Sequence, residues 1–96
     1  MTDSAPAANS GHPRVAGLYR LQWEEVQQAH VLLFPEGMVK LNASAGQILL
    51  RCDGIKSTAT IVAELETAFA TTGLGADVEA FLKFVTDKGW VEWIDR

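Results

Sequence analysis

The sequence is poor in the residues that build covalent or metal-based sites. It has one cysteine among 96 residues, Cys52, and a single thiol cannot close an internal disulfide. A reducing compartment suits such a chain, and a cytoplasmic location is expected. Histidine is almost as scarce. His12 and His30 have no second histidine or cysteine at ligand spacing, so they offer no zinc site, and no cofactor is expected. No apolar run approaches the roughly 20 residues that a membrane helix needs. The first residues lack the basic start and apolar block of a secretory signal. Basic residues are also the minority. Eight of them face 12 carboxylates for a net charge of −4, which argues against nonspecific binding to nucleic acid or an anionic membrane.

What is present is a core. Hydrophobic residues make up 48% of the chain, too many for a disordered segment, and the length suits one small domain. Met1 to Pro13 is mostly Ala, Ser, Asn, Gly and Pro, and residues 1–16 read as a flexible N-terminal tail. The domain is then expected over residues 17–96.

Within it, Tyr19, Leu21 and Trp23 alternate with Arg20, Gln22 and Glu24, the pattern of a half-buried strand. The turn over Val26 to Ala29 is weakly marked, having neither Gly nor Pro. His30-Val31-Leu32-Leu33-Phe34 is apolar on both faces, which suits a central strand or one whose second face meets a partner. Pro35-Glu36-Gly37 predicts a tight turn, and Met38 to Leu41 a third strand. The period then changes. Ser44 and Gln47 have capping-box spacing, Ile48, Leu49 and Cys52 form an apolar stripe, and Asp53-Gly54 stops the helix. Ser57 is the expected cap of a second helix, whose stripe is Ile61, Val62, Leu65, Ala68 and Phe69, with Gly73 and Gly75 as breakers. Asp77 is the expected cap of a third, with Val78, Phe81, Leu82 and Val85 on one face and Gly89 at its end. Trp90 to Ile94 reads as a closing strand. The fold class is α+β, winged-helix-like: a three-stranded antiparallel meander followed by three helices and a short terminal strand.

Catalysis finds little support in these residues. Cys52 lies on an apolar stripe, where a buried thiol is favoured over a thiolate nucleophile. Glu24-Glu25 and Glu64 with Glu66 read as solvated faces. Gly73 and Gly75 do not follow a strand, so they make no phosphate cradle. The expectation is a chain that is not an enzyme. A winged-helix order raises nucleic-acid binding as an alternative, but the third helix offers Asp77, Glu79, Lys83, Asp87 and Lys88 with no Arg, Asn or Gln to read bases.

Binding remains. The third strand of a meander is an edge with unpaired main-chain groups, and Met38-Val39-Lys40-Leu41 has only Lys40 to blunt it. An extended peptide could pair there. Val78, Phe81, Leu82 and Val85 are candidates to line a groove beside it, against the alternative that they face the core. If Val31 and Leu33 face the helices, then His30, Leu32 and Phe34 face outward as a partner or dimer patch. A structural homodimer that consumes its own edge strand is the competing alternative.

The stretch Arg20-Leu21-Gln22-Trp23-Glu24-Glu25, followed by Val31 through Asn42 with its Pro-Glu-Gly-Met-Val-Lys-Leu-Asn segment, resembles the PqqD family. Ser44-Ala45, Ile48-Leu49, Cys52-Asp53-Gly54 and Ile61 to Leu65 continue the resemblance, which covers essentially everything after the tail. It implies a peptide chaperone in the biosynthesis of pyrroloquinoline quinone (PQQ). Such a protein would bind the ribosomal precursor PqqA and present it to PqqE, a radical S-adenosylmethionine enzyme that joins a glutamate and a tyrosine side chain. In similar domains the peptide adds at the third strand of the meander beside the third helix. Carried over, that site is Met38, Val39, Lys40 and Leu41 with Phe81, Leu82 and Val85. No metal, nucleic acid or membrane is implied.

Overall fold

The computed structural model describes residues 11–95. In chain order the elements are β1 (His12–Val15), β2 (Arg20–Glu24), β3 (Ala29–Phe34), β4 (Gly37–Lys40), α1 (Ala43–Leu50), α2 (Thr58–Ala68), α3 (Gly75–Asp87) and β5 (Val91–Ile94). β2, β3 and β4 form the expected antiparallel meander, and the three helices follow it. A single-layer sheet cannot cover its own apolar face, so the helices close it. Leu32 and Leu41 from the meander meet Ile48 and Leu49 of α1, Ile61 and Leu65 of α2, and Val78, Leu82 and Val85 of α3 in one core. Each such side chain contributes about 1.5–3 kcal/mol when fully buried. The approach of α1 to β3 depends on Gly46, where a Cβ would lie 2.9 Å from His30 Nδ1.

The closing strand has a partner inside the segment expected to be tail. β1 pairs antiparallel with β5, His12 opposite Ile94 and Val15 opposite Val91, making a second, two-stranded sheet. The domain boundary expected between residues 16 and 17 therefore falls too late; residues 1–10 of that tail lie outside the described residues. A proline obscured the strand, and its position explains why the strand tolerates it. The Pro13 carbonyl accepts from Gly54 N at 2.8 Å, so its backbone faces the 52–54 segment and its missing N–H costs no bond to β5. Val15 N donates to Cys52 O at 3.3 Å on the same side.

The helix starts differ from expectation at two of three positions. α1 is capped by Asn42, whose Oδ1 accepts from Ala45 N at 2.7 Å, rather than by Ser44, which lies inside the helix. Ser57 caps α2 as expected, accepting from Thr60 N. α3 begins at Gly75, which thus opens a helix rather than breaking one, and Asp77 stands in its first turn instead of capping it. The Leu74 amide at that helix start donates instead to the Glu66 carboxylate, 3.0 Å away on α2. The β2–β3 turn is held by Gln28, at φ 53°, whose amide group donates to the Glu25 carbonyl at 2.8 Å and carboxylate at 2.9 Å.

Candidate peptide-binding edge

β4 is an edge of the three-stranded sheet. Its register with β3 sets Phe34 opposite Gly37, Leu33 opposite Met38, Leu32 opposite Val39 and Val31 opposite Lys40. Leu41 N donates to His30 O at 3.0 Å, which fixes the phase of the ladder. In an antiparallel pair, hydrogen-bonded and non-hydrogen-bonded pairs alternate. Gly37, Val39 and Leu41 thus spend their main-chain groups on β3, while the N–H and C=O of Met38 and Lys40 point away from the sheet. No other strand takes them among the described residues. Met38 is 53% exposed, Lys40 is exposed, Val39 is half-buried against the core and Leu41 is buried in it.

The expected helix set divides. Val78, Leu82 and Val85 are core residues, at most 2% exposed, and present no surface to a ligand. Phe81 is half-buried and packs on the core from its margin. Phe84, absent from the expected set, is 51% exposed. It meets Trp90 edge-on at 6.2 Å and lies under Lys88 Nζ at 5.4 Å. The available signal was a phenylalanine outside the 78-81-82-85 stripe, at i+3 from Phe81.

The outward patch of His30, Leu32 and Phe34 is overturned. Leu32 is fully buried in the core and shares its sheet face with Leu21 and Val39. On that face His30 packs against Gly46 and lies 5.1 Å from the Trp23 ring, and Phe34 lies 5.6 Å from Tyr19. The opposite face carries Val31, Leu33 and Met38 with Arg20, Gln22 and Lys40. β3 is apolar on both sides, so alternation alone could not say which side the helices cover.

Four of the seven Lys and Arg side chains among the described residues are ion-paired. Arg14 bonds Glu92, Arg51 meets Glu64 at 3.1 Å, Lys56 meets Asp53 at 3.0 Å and Lys83 meets Asp87 at 3.2 Å. Among the described residues Arg20, Lys40 and Lys88 have no carboxylate partner. A shallow depression of about 430 Å3 beside the Arg51–Glu64 pair is lined otherwise by Ala63, Thr67 and Ala68. Cys52 is buried and its Sγ–H faces Ile48 O at 3.4 Å. Burial, then the neighbouring Asp53 charge, pushes its thiol up to about 12, the reverse of what a nucleophile needs. Among the described residues no cluster of three His, Cys, Asp or Glu side chains could hold a metal, and no helix is long and apolar enough to cross a membrane.

These features define a small α+β domain with an open, sparsely protected sheet edge, a form suited to taking an extended chain. The family of Coenzyme PQQ synthesis protein D (PqqD) matches residues 29–91, and the chain belongs to that family. It is 47% identical over 81 residues to a "PqqA binding protein" of Azotobacter vinelandii, covering 83% of this chain and 88% of the relative. A "PqqA binding protein" of Pseudomonas aeruginosa is 44% identical over 91 residues, covering 94% of this chain and 91% of the relative. The solution NMR structure of the PqqD truncation of Methylobacterium extorquens PqqCD superposes with a TM-score of 0.66 at 30% identity. It covers 93% of this chain and 99% of that one, and is described as a functional, stand-alone recognition element for ribosomally synthesized and post-translationally modified peptides. The names of the relatives are those of binding proteins, in line with the expectation of a non-catalytic domain.

Proposed function

We propose that this chain is a peptide chaperone in PQQ biosynthesis, which binds the precursor PqqA by strand addition at β4 and presents it to the radical S-adenosylmethionine enzyme PqqE in the cytoplasm. The observation that carries the reading is the outward main chain of Met38 and Lys40 on an edge that lacks proline and a bulge. Membership of the PqqD family, with relatives named for binding PqqA, supports the choice of peptide.

The energetics ask for more than backbone pairing. Two outward residues offer two donors and two acceptors, each bond netting about 0.5–1.5 kcal/mol. Ordering the peptide costs about 1–2 kcal/mol per residue. Strand pairing alone therefore roughly cancels, and apolar anchoring must supply the surplus. Met38, exposed at the edge, and Val39 and Phe81, half-buried at the margin of the core, are the residues of the expected site able to take part in it. The domain would do no bond chemistry. It would hold the precursor extended and raise its concentration at the enzyme.

Met38→Pro tests the reading. Proline there removes an outward donor and no bond to β3, so the fold should survive. The expected result is about two- to tenfold weaker PqqA binding, with the circular dichroism and melting curve retained. Unchanged affinity in the folded variant would exclude β4 as the pairing edge. A concentration-dependent dimer whose formation competes with peptide would instead assign that edge to a second copy of the chain.

A further inference from the structure

The register of β4 also says which side chains of an added strand meet which residues of this domain. Residues directly opposite in an antiparallel pair lie on the same face, and so do residues two apart on one strand. A peptide strand along β4 would thus turn one residue inward beside Val39. The residues on either side of it would turn outward, next to Met38 and Lys40. On that outer face Met38 continues the row Arg20–Leu33, and Lys40 continues the row Gln22–Val31. The Met38 end is apolar at the edge, whereas the Lys40 end carries an exposed cation without a carboxylate partner among the described residues. Glu36, exposed in the turn four residues before Lys40, gives the other end of the edge the opposite charge.

We propose that Lys40 is a specificity-determining residue that selects an extended peptide with a carboxylate side chain two positions from an apolar one, the residue between them turned inward beside Val39. The proposal rests on strand addition at β4. With the carboxylate beside Lys40 and the apolar side chain beside Met38, only one register of the peptide satisfies both. A shift by one residue turns both side chains to the helix face, and a shift by two moves the carboxylate toward Met38 and the Glu36 end. The chain as a whole carries −4, so its overall field does not draw an acidic peptide in. Selection falls instead to the local cation, at a separation well inside the screening length.

The test uses the full chain and synthetic PqqA in which each Asp or Glu is changed singly to its amide. Each peptide is titrated against wild type, Lys40→Met and Lys40→Glu, with amide NMR as the site readout. Lys40→Met keeps most of the aliphatic stem and removes the charge. One amide substitution is expected to weaken wild-type binding about two- to fivefold, the range of an exposed cross-strand ion pair, and to have no effect on Lys40→Met. Lys40→Glu is expected to bind unmodified PqqA more weakly than Lys40→Met, and high salt to narrow the difference. If peptide shifts the Met38 and Lys40 amides but all three proteins bind every peptide alike, selection by Lys40 is wrong while the edge stands. If those amides do not move at all, strand addition at β4 is wrong and the selection falls with it.

Discussion

Ala70 and Gly89 occupy the same position at the ends of successive helices, and only one of them is a glycine. After α2, Thr71 N donates to Glu66 O and Ala70 N to Thr67 O, with Ala70 at φ 53°. After α3, Trp90 N donates to Val85 O and Gly89 N to Thr86 O, with Gly89 at φ 82°. Both are Schellman ends whose first residue past the cap is left-handed, where a Cβ is strained and glycine is favoured. Ala70→Gly is expected to raise stability by about 0.5–1 kcal/mol, and Gly89→Ala to lower it by about 1 kcal/mol, read from urea midpoints at an unchanged slope.

The pairing of β1 with β5 makes a prediction about where the folded unit starts. Pro13 is among the fully buried side chains, and Arg14 is bridged to Asp53 while bonding Glu92. A chain beginning at Gly17 should therefore be less stable than one beginning at Gly11, by roughly 3 kcal/mol from the burial of Pro13 and Val15 alone. Thermal melts of the two truncations check it. Equal melting temperatures would show that β1 adds nothing to the fold.

The meander, the three helices and the closing strand were legible because their signals are local. Alternation marked Tyr19 to Trp23, the period of 3.6 marked Ile61 to Leu65, and Gly89 marked a stop. What was not legible depended on tertiary placement. β1 carries a proline and only four residues, and it becomes a strand because β5 and the 52–54 segment are there to pair with it. The inward face of β3 could not be chosen from a run apolar on both sides. The same ambiguity put Val78, Leu82 and Val85 among the groove candidates, since an apolar stripe looks alike whether it meets a core or a ligand. The edge itself was legible, because third place in a meander leaves one side of Met38 to Lys40 without a strand.

Glu66 joins α2 to the start of α3 through the Leu74 amide, a bond across eight residues. α3 has no side-chain cap of its own, so this carboxylate takes the role. Glu66→Ala should cost about 1 kcal/mol, and Glu66→Gln less, since the amide oxygen still accepts. Amide exchange should speed up over the first turn of α3 in the alanine variant, and an unchanged rate there would contradict the assignment.

Cys52 predicts both a reactivity and a pH dependence. With the thiol pushed up to about 12 by burial, the folded protein should resist a disulfide reagent at pH 8 and react once unfolded. In the unfolded chain the thiol ionises near 8.5. The folded value is raised, so its contribution to stability is complete below about 8.5 and is lost as pH rises toward 12. Cys52→Ala should flatten that alkaline decline in urea titrations, even if the cavity lowers stability at every pH.

The most direct test of strand addition is hydrogen exchange at single amides of β4 with and without PqqA. In the free protein the Val39 and Leu41 amides, bonded to β3, should exchange slowly, and those of Met38 and Lys40 should exchange fast. Bound peptide should slow Met38 and Lys40 and leave the alternation filled in. Peptide binding that leaves the Met38 and Lys40 amides fast, with protection gained elsewhere, would contradict the account.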